Sequence, residues 1–310
     1  MYANEKTDQG DWDRQDDEFR DWVTRDGSSD YPAEPGRYHL YVSLACPWAH
    51  RTVIVRKLKR LQDVVGMTVV DPIRNDEDGW AFREGPGHSA DPVNGWQFLK
   101  QAYTGTRPGY DARVTVPVLW DKQAGRIVSN VDEDIMRMLN AAFDDYTDAD
   151  LALLPDGLVP EIDRVNDFIY PSINDGVYRS GFATTQDAYD KAVAALFDAL
   201  NRLEERLSER RYLVGRAITE ADWRLFPTLI RFDAVYHGHF KCNIRRLIDY
   251  PNLYGYTLDL YQQPGVADTV DFDHIKRHYY ITHDDLNPTQ VVPLGPDMDL
   301  TAPHGRDAIG

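Results

Sequence analysis

The sequence predicts an α/β unit followed by an all-helical one. Three observations carry this. A strand–helix–strand run spans Tyr38 to Asp71. A further strand, a hairpin partner and a helix follow between Val114 and Asn140. Beyond Pro160 the apolar residues recur at helical rather than strand spacing. The change of texture falls after Asp144, and Pro155 to Pro160 reads as a linker. The expected organisation is an extension at residues 1–36, an α/β domain at 37–145, and a helical domain with a C-terminal tail at 155–310.

Tyr38 to Ser43 is apolar and aromatic, as a strand requires, and Ala49 to Leu61 has helical spacing. Gly66 to Asp71 reads as a second strand, so the two strands pair in parallel through a helical crossover. Residues 72–112 are rich in Gly, Pro, Asp and Asn and read as a long loop, functional or mobile. Val114 to Trp120 is a strand, Lys122 to Gly125 a turn, and Arg126 to Ser129 its partner; Asn130 is the expected cap of a helix running to Asn140. Pro117 cannot donate to a sheet ladder, and a cis-proline at the strand edge resolves that conflict. This order matches the thioredoxin-like arrangement. Helices are expected at Glu161 to Asn174, Thr185 to Glu209, Glu220 to Tyr236 and Asn252 to Tyr261. Thr219 and Asp222 form a near-capping box at the start of the third. Trp12, Phe19 and Trp22 are spaced as if one short segment docks on the body, and the Pro- and Gly-rich tail after Pro288 is expected to wrap over the surface.

Apolar residues make up 42% of the 310, and aromatics 12%, which places the chain among globular proteins. No apolar run approaches the ~20 residues that span a bilayer. Met1 to Lys6 shows no signal pattern, so a cytoplasmic location is expected. The net charge of −17 repels nucleic acid and anionic membranes. A soluble surface and adaptation to high salt both ask for such charge. There is no Cys/His cluster with metal-ligand spacing, no G-x-G-x-x-G fingerprint and no phosphate loop, so no metal or nucleotide is expected.

The chemistry centres on Cys46-Pro47-Trp48-Ala49-His50-Arg51, between the first strand and the first helix. Orphan backbone N–H groups and the helix dipole favour a thiolate there, and Pro47 suits the first turn. Ala49 stands where a second cysteine would sit, so a disulfide on Cys46 must be resolved by an external thiol. The only other cysteine, Cys242, lacks a strand-to-helix setting and reads as a packing residue.

That motif, together with Gly176-Val177-Tyr178-Arg179, Gly181-Phe182-Ala183 and Ile275-Lys276-Arg277-His278-Tyr279-Tyr280, resembles the glutathionyl-hydroquinone reductases, the Xi class of glutathione transferases. The likeness spans residues 36–296 and implies the glutathione transferase fold: a thioredoxin-like domain, then an all-α domain. It implies an enzyme that removes a glutathionyl group from S-conjugated hydroquinones through a mixed disulfide on Cys46, as a cytoplasmic homodimer with aromatic hydroquinone conjugates and a small thiol as its partners. Tyr178 and Tyr279, with Tyr280 as the alternative to the latter, match the family's quinol-pocket tyrosines. Trp80, Arg113, Val116 and Pro117 match its thiol contacts. Arg113 can pair a carboxylate, and the Val116 backbone can pair an extended peptide.

One departure bears on the thiol. The family's Glu-Ser pair is replaced by Val131 and Asp132. Asp132 attracts an ammonium but repels a carboxylate, which opens the co-substrate to γ-glutamylcysteine or mycothiol beside glutathione. Two further readings share the fold: an Omega-like thioltransferase or dehydroascorbate reductase, and a non-catalytic scaffold. Glutathione conjugation is disfavoured, since a cysteine forms a mixed disulfide where that reaction needs a hydroxyl.

Overall fold

The structure, a computed structural model, describes residues 5–75 and 77–309; Met1 to Asn4 of the extension and Asp76 of the 72–112 loop lie outside the described residues. The chain forms two compact units, each drawn from separate stretches. One comprises residues 15–151 and 268–282; the other comprises 1–14, 152–267 and 283–310. The extension is therefore divided between the units, and a late segment joins the α/β unit instead of the helical one.

In the α/β unit, a two-residue parallel pair, β1 (Val23–Thr24) and β2 (Tyr31–Pro32), precedes the main sheet. β3 (Tyr38–Val42), buried throughout, leads into α1 (Pro47–Leu58), and β4 (Gly66–Val69) returns parallel to β3. α2 (Lys100–Thr106) interrupts the long loop. It was hidden in the sequence because seven residues with Gly105 and no side-chain cap carry little helical signal. β5 (Val118–Asp121) and β6 (Arg126–Ser129) are antiparallel, giving the sheet order β4-β3-β5-β6. α3 (Asp132–Ala141) follows, and its N-cap is Val131, not Asn130. The Asn130 amide is consumed elsewhere: its Oδ1 accepts the Phe19 N–H (3.0 Å) and its Nδ2 donates to Thr115 Oγ1 (3.1 Å).

The helical unit contains α4 (Val159–Ile169), with Pro160 inside its first turn instead of in a linker, followed by a π turn at Tyr170–Asn174. α5 (Gly176–Gly181) is short, and α6 (Gln186–Glu209) is capped by the Thr185 side chain, which accepts the Ala188 N–H. α7 (Glu220–Arg231) starts in the capping box foreseen at Thr219 and Asp222, with the Thr219 N–H on the Asp222 carboxylate at 2.7 Å. α8 is Pro251–Tyr261. Near the end of the tail is a buried arginine: Arg306 donates from Nη2 to the carbonyl of Leu207 (2.9 Å), an orphan acceptor in the last turn of α6, and to that of Arg211 (3.0 Å) just beyond the helix. Val291 and Leu294 in the same tail are exposed.

The last helix, α9 (Phe272–Arg277), and the π turn His278–Thr282 belong to the α/β unit. Three histidines explain the grouping. The ring nitrogens of His50, His274 and His278 meet Thr269 Oγ1 (2.8 Å), the Pro86 carbonyl (2.7 Å) and the Pro72 carbonyl (2.7 Å). His274 and His278 are buried loop ties.

Candidate functional site

Cys46 is the N-cap of α1, in extended geometry (φ −75°, ψ 124°), so its sulfur points at the orphan donors of the first turn. Its Sγ accepts the Ala49 N–H at 3.5 Å and lies 3.5 Å from the Val116 carbonyl, to which the thiol donates. The Val116-Pro117 peptide is cis, and Pro117 stands immediately before β5. Cys46 is half-buried and neither cysteine is in a disulfide. The arrangement offers one reachable sulfur beside an extended backbone segment.

Opposite charge flanks this helix. Arg51, buried in α1, donates from Nη1 to Asp132 Oδ2 at 2.8 Å, and Asp132 is itself buried. The sequence reading treated Asp132 as a bare carboxylate; the structure compensates it with Arg51. Asp132, Glu133 and Asp134 fill the first turn of α3, where negative charge is favoured, and Arg20 grips Asp134 with two hydrogen bonds (2.9 and 3.0 Å). Val131 is buried, its N–H held by Ser129 Oγ at 3.1 Å.

Arg113 is held through its backbone: its N–H donates to Gln15 Oε1 and its carbonyl accepts the Tyr110 hydroxyl, both at 2.9 Å. Trp80 is buried and stacks on the His278 imidazole (centroids 5.1 Å, planes 22° apart), which in turn meets the edge of Tyr279 (5.4 Å, 81°). Tyr279 is buried and Tyr280 only partly so; burial still pushes the Tyr280 phenol up. Thus Cys46, Trp80, Arg113, Val116, Pro117, Val131, Asp132 and Tyr279 all belong to the α/β unit.

Tyr178 belongs to the helical unit. It sits on α5, stacked on Trp12 (5.4 Å, 25°) and edge-on to Phe240 (5.3 Å, 65°), with Phe182 and Tyr236 around it. The close packing depends on Gly181: a Cβ there would meet Phe240 Cγ at 2.2 Å. Beside Phe240, the rings of His239 and His283 stack, with nitrogens 3.3 Å apart, and burial pulls the His239 imidazole down to about 4. The expected docking of Trp12, Phe19 and Trp22 as one group does not occur: Trp12 packs in the helical unit, Phe19 against Tyr103 in the α/β unit, and Trp22 is exposed.

Sequence reasoning missed Arg51, although it lies in the cysteine motif, because its partner is 81 positions away. It also missed the aromatic shell of Tyr178, whose members come from distant segments. Among the described residues, no group of three or more His, Cys, Asp or Glu could hold a metal ion, and no helix is long and apolar enough to cross a membrane.

Comparison with known proteins follows the same division. Residues 45–142 match the glutathione S-transferase N-terminal domain and residues 186–257 the C-terminal domain. The chain is 51% identical over 296 residues to glutathionyl-hydroquinone reductase YqjG of Escherichia coli, covering 93% of this chain and 90% of that one. The glutathione-bound structure of YqjG superposes with a TM-score of 0.91 at 50% identity, covering 97% of this chain and 98% of the other. Glutathionyl-hydroquinone reductase PcpF of Sphingobium chlorophenolicum is 50% identical, covering 87% and 86% of the two chains. The structure of a Xi class transferase from Natrialba magadii gives a TM-score of 0.91 at 50% identity, covering 93% and 88%.

Proposed function

This chain belongs to the Xi-class glutathione transferases, the family of the glutathionyl-hydroquinone reductases, and on that premise we propose that it is a thiol-dependent reductase of S-conjugated hydroquinones. The observation that carries the reading is the sulfur of Cys46, aimed at the first-turn donors of α1 with Ala49 three residues on. A thiolate there is stabilised, and no neighbouring cysteine in the motif can discharge an adduct.

The Cys46 thiolate attacks the thiol-derived sulfur of the conjugate. A sulfur–sulfur bond forms, the carbon–sulfur bond to the ring breaks, and the electron pair leaves with the ring carbon, which takes a proton to give the free hydroquinone. A second thiolate then attacks the mixed disulfide, forming the oxidised thiol and restoring the Cys46 thiolate. The ring has gained the two electrons that the thiols have lost. Tyr178 and Tyr279 take the role of phenol donors to the quinol oxygens. Trp80, Arg113, Val116, Pro117, Val131 and Asp132 take the thiol, with Val116 pairing its peptide backbone.

The co-substrate is glutathione or a related small thiol, γ-glutamylcysteine or mycothiol. The Arg51–Asp132 pair favours glutathione among these, because a compensated carboxylate repels the carboxylates of the tripeptide less than a lone one would. A homodimer in the cytoplasm is the assembly proposed, by likeness to the family.

The test is turnover of thiol-conjugated menadiol by wild type and Cys46→Ser, with glutathione, γ-glutamylcysteine and mycothiol in turn. Release of free quinol by wild type alone is expected. Equal release by both proteins, or none with any thiol from a folded wild type, refutes the reading.

A further inference from the structure

We infer that the segment Gln15 to Asp17 is part of the thiol-binding apparatus, with Gln15 and Asp17 acting as positioning residues for the backbone of Arg113 to Val116. The inference rests on the proposed function in one respect only: that this backbone receives the thiol.

Everything needed lies within the α/β unit. An extended peptide can pair with Val116 only if the backbone around it is fixed before binding, since ordering it on binding weakens affinity. Val116 is followed by β5, but the residues before it, Arg113 to Thr115, belong to no strand. They are held instead by side chains. Gln15 Oε1 accepts the Arg113 N–H at 2.9 Å. Asp17 Oδ1 accepts the Thr115 hydroxyl at 3.0 Å and the Asn130 amide at 3.3 Å. Tyr103 completes the hold, its hydroxyl donating to the Thr115 carbonyl (2.8 Å) and accepting the Thr115 N–H (3.2 Å); burial pushes that phenol up, which keeps it a donor.

The segment is itself fixed. The Phe19 N–H and carbonyl bond Asn130 (3.0 and 3.1 Å), and the Asp21 N–H bonds the Val128 carbonyl (3.0 Å), so the chain runs along the outer edge of β6. The same Asn130 precedes Val131 and Asp132 at the start of α3. One carboxylate, Asp17, therefore ties Thr115 to Asn130, that is, the strand-entry residues to the helix-entry residues of the thiol site. The next backbone carbonyl along, that of Val116, is the one the Cys46 thiol meets at 3.5 Å. Loss of Asp17 removes the carboxylate that accepts from both the Thr115 hydroxyl and the Asn130 amide, which loosens this tie while leaving the N-cap of Cys46 intact, because the Ala49 N–H that holds the sulfur is on α1.

The experiment separates thiol recognition from intrinsic reactivity. Mixed-disulfide formation on Cys46 is followed by mass spectrometry with oxidised glutathione, in which the Cys46 thiolate displaces glutathione thiolate from the disulfide. Alkylation by chloroacetamide, with chloride leaving, reports the thiolate without using the peptide-binding backbone. In Asp17→Ala, disulfide formation should slow about tenfold and alkylation change less than about twofold, the loss expected from two hydrogen bonds to a charged acceptor. Gln15→Ala should show the same selective loss, about threefold. Asp17→Asn, which keeps the Oδ1 acceptor, should restore the rate to within about threefold of wild type. Equal slowing of both reactions would mean a structural role only and would overturn the inference, as would no slowing of either. A selective loss without quinol release by wild type would leave the inference standing and refute the reductase reading instead.

Discussion

The surroundings of the two cysteines show how far context outweighs residue type. Cys46, in the α/β unit, is half-buried and faces a backbone donor at a helix start. Cys242, in the helical unit, is fully buried, its thiol donating to the carbonyls of Val177 and Phe240 at 3.8 Å, and burial pushes it up to about 12. One sulfur meets a helix-start N–H as well as a carbonyl, whereas the other donates to two carbonyls and stays protonated. The α/β unit keeps its chemistry at element ends, where backbone groups lack partners; the helical unit shuts its thiol into the core.

The largest expected effect is on reactivity. At pH 8 and in native protein, iodoacetamide should label Cys46 about a thousandfold faster than Cys242, since a thiol at about 12 is almost wholly protonated there. Peptide mapping after brief labelling reads this directly; comparable labelling of both would erase the contrast.

A smaller effect concerns the Arg51–Asp132 pair, a buried ion pair of the α/β unit. Arg51→Met strands a buried carboxylate and should cost about 3 to 4 kcal/mol of stability. The double variant Arg51→Met/Asp132→Ser should recover most of it, because neither charge then remains. Urea unfolding of the wild type and these variants gives the coupling; strict additivity would show that the pair is not a unit.

The least effect at neutral pH, and one the two units share, comes from buried histidines. Burial pulls His39 in the α/β unit and His239 in the helical unit each down to about 4. Both stay neutral when folded yet bind a proton near pH 6.5 when unfolded. Their contribution is therefore complete above pH 6.5 and is lost as pH falls towards 4. At pH 4.5 each should cost about 2 to 3 kcal/mol. His39→Gln and His239→Gln should each reduce the acid-induced loss, measured as the difference in unfolding free energy between pH 7 and 4.5. An unchanged loss in either variant would remove that histidine from the account.

Much of the scaffold was legible because its signals are local. Alternating and helical apolar spacing marks β3, α1, β5, β6 and α6. Thr185 and the Thr219–Asp222 box mark helix starts by donors within three residues, and Pro117 marks a strand edge because it lacks an N–H. The surroundings of Cys46 were legible for the same reason: the residues after an N-cap supply its donors. α2 was not, being too short to carry periodicity, and Asn130 misled, since its capping chemistry serves equally well in a long-range network.

The sequence by itself determined that a cysteine begins a helix behind a strand, that no second thiol accompanies it in the motif, and that a helical half follows. Only the tertiary structure decided which charges and rings meet: Arg51 with Asp132, His50 with Thr269 across 219 positions, Asp17 with Thr115, and the return of residues 268–282 to the α/β unit. The physical reason is range. Caps and periodicity act within a turn or two of backbone, whereas a buried ion pair or hydrogen bond between distant residues is selected by packing, which removes water from both partners at once and lets each compensate the other for lost solvation.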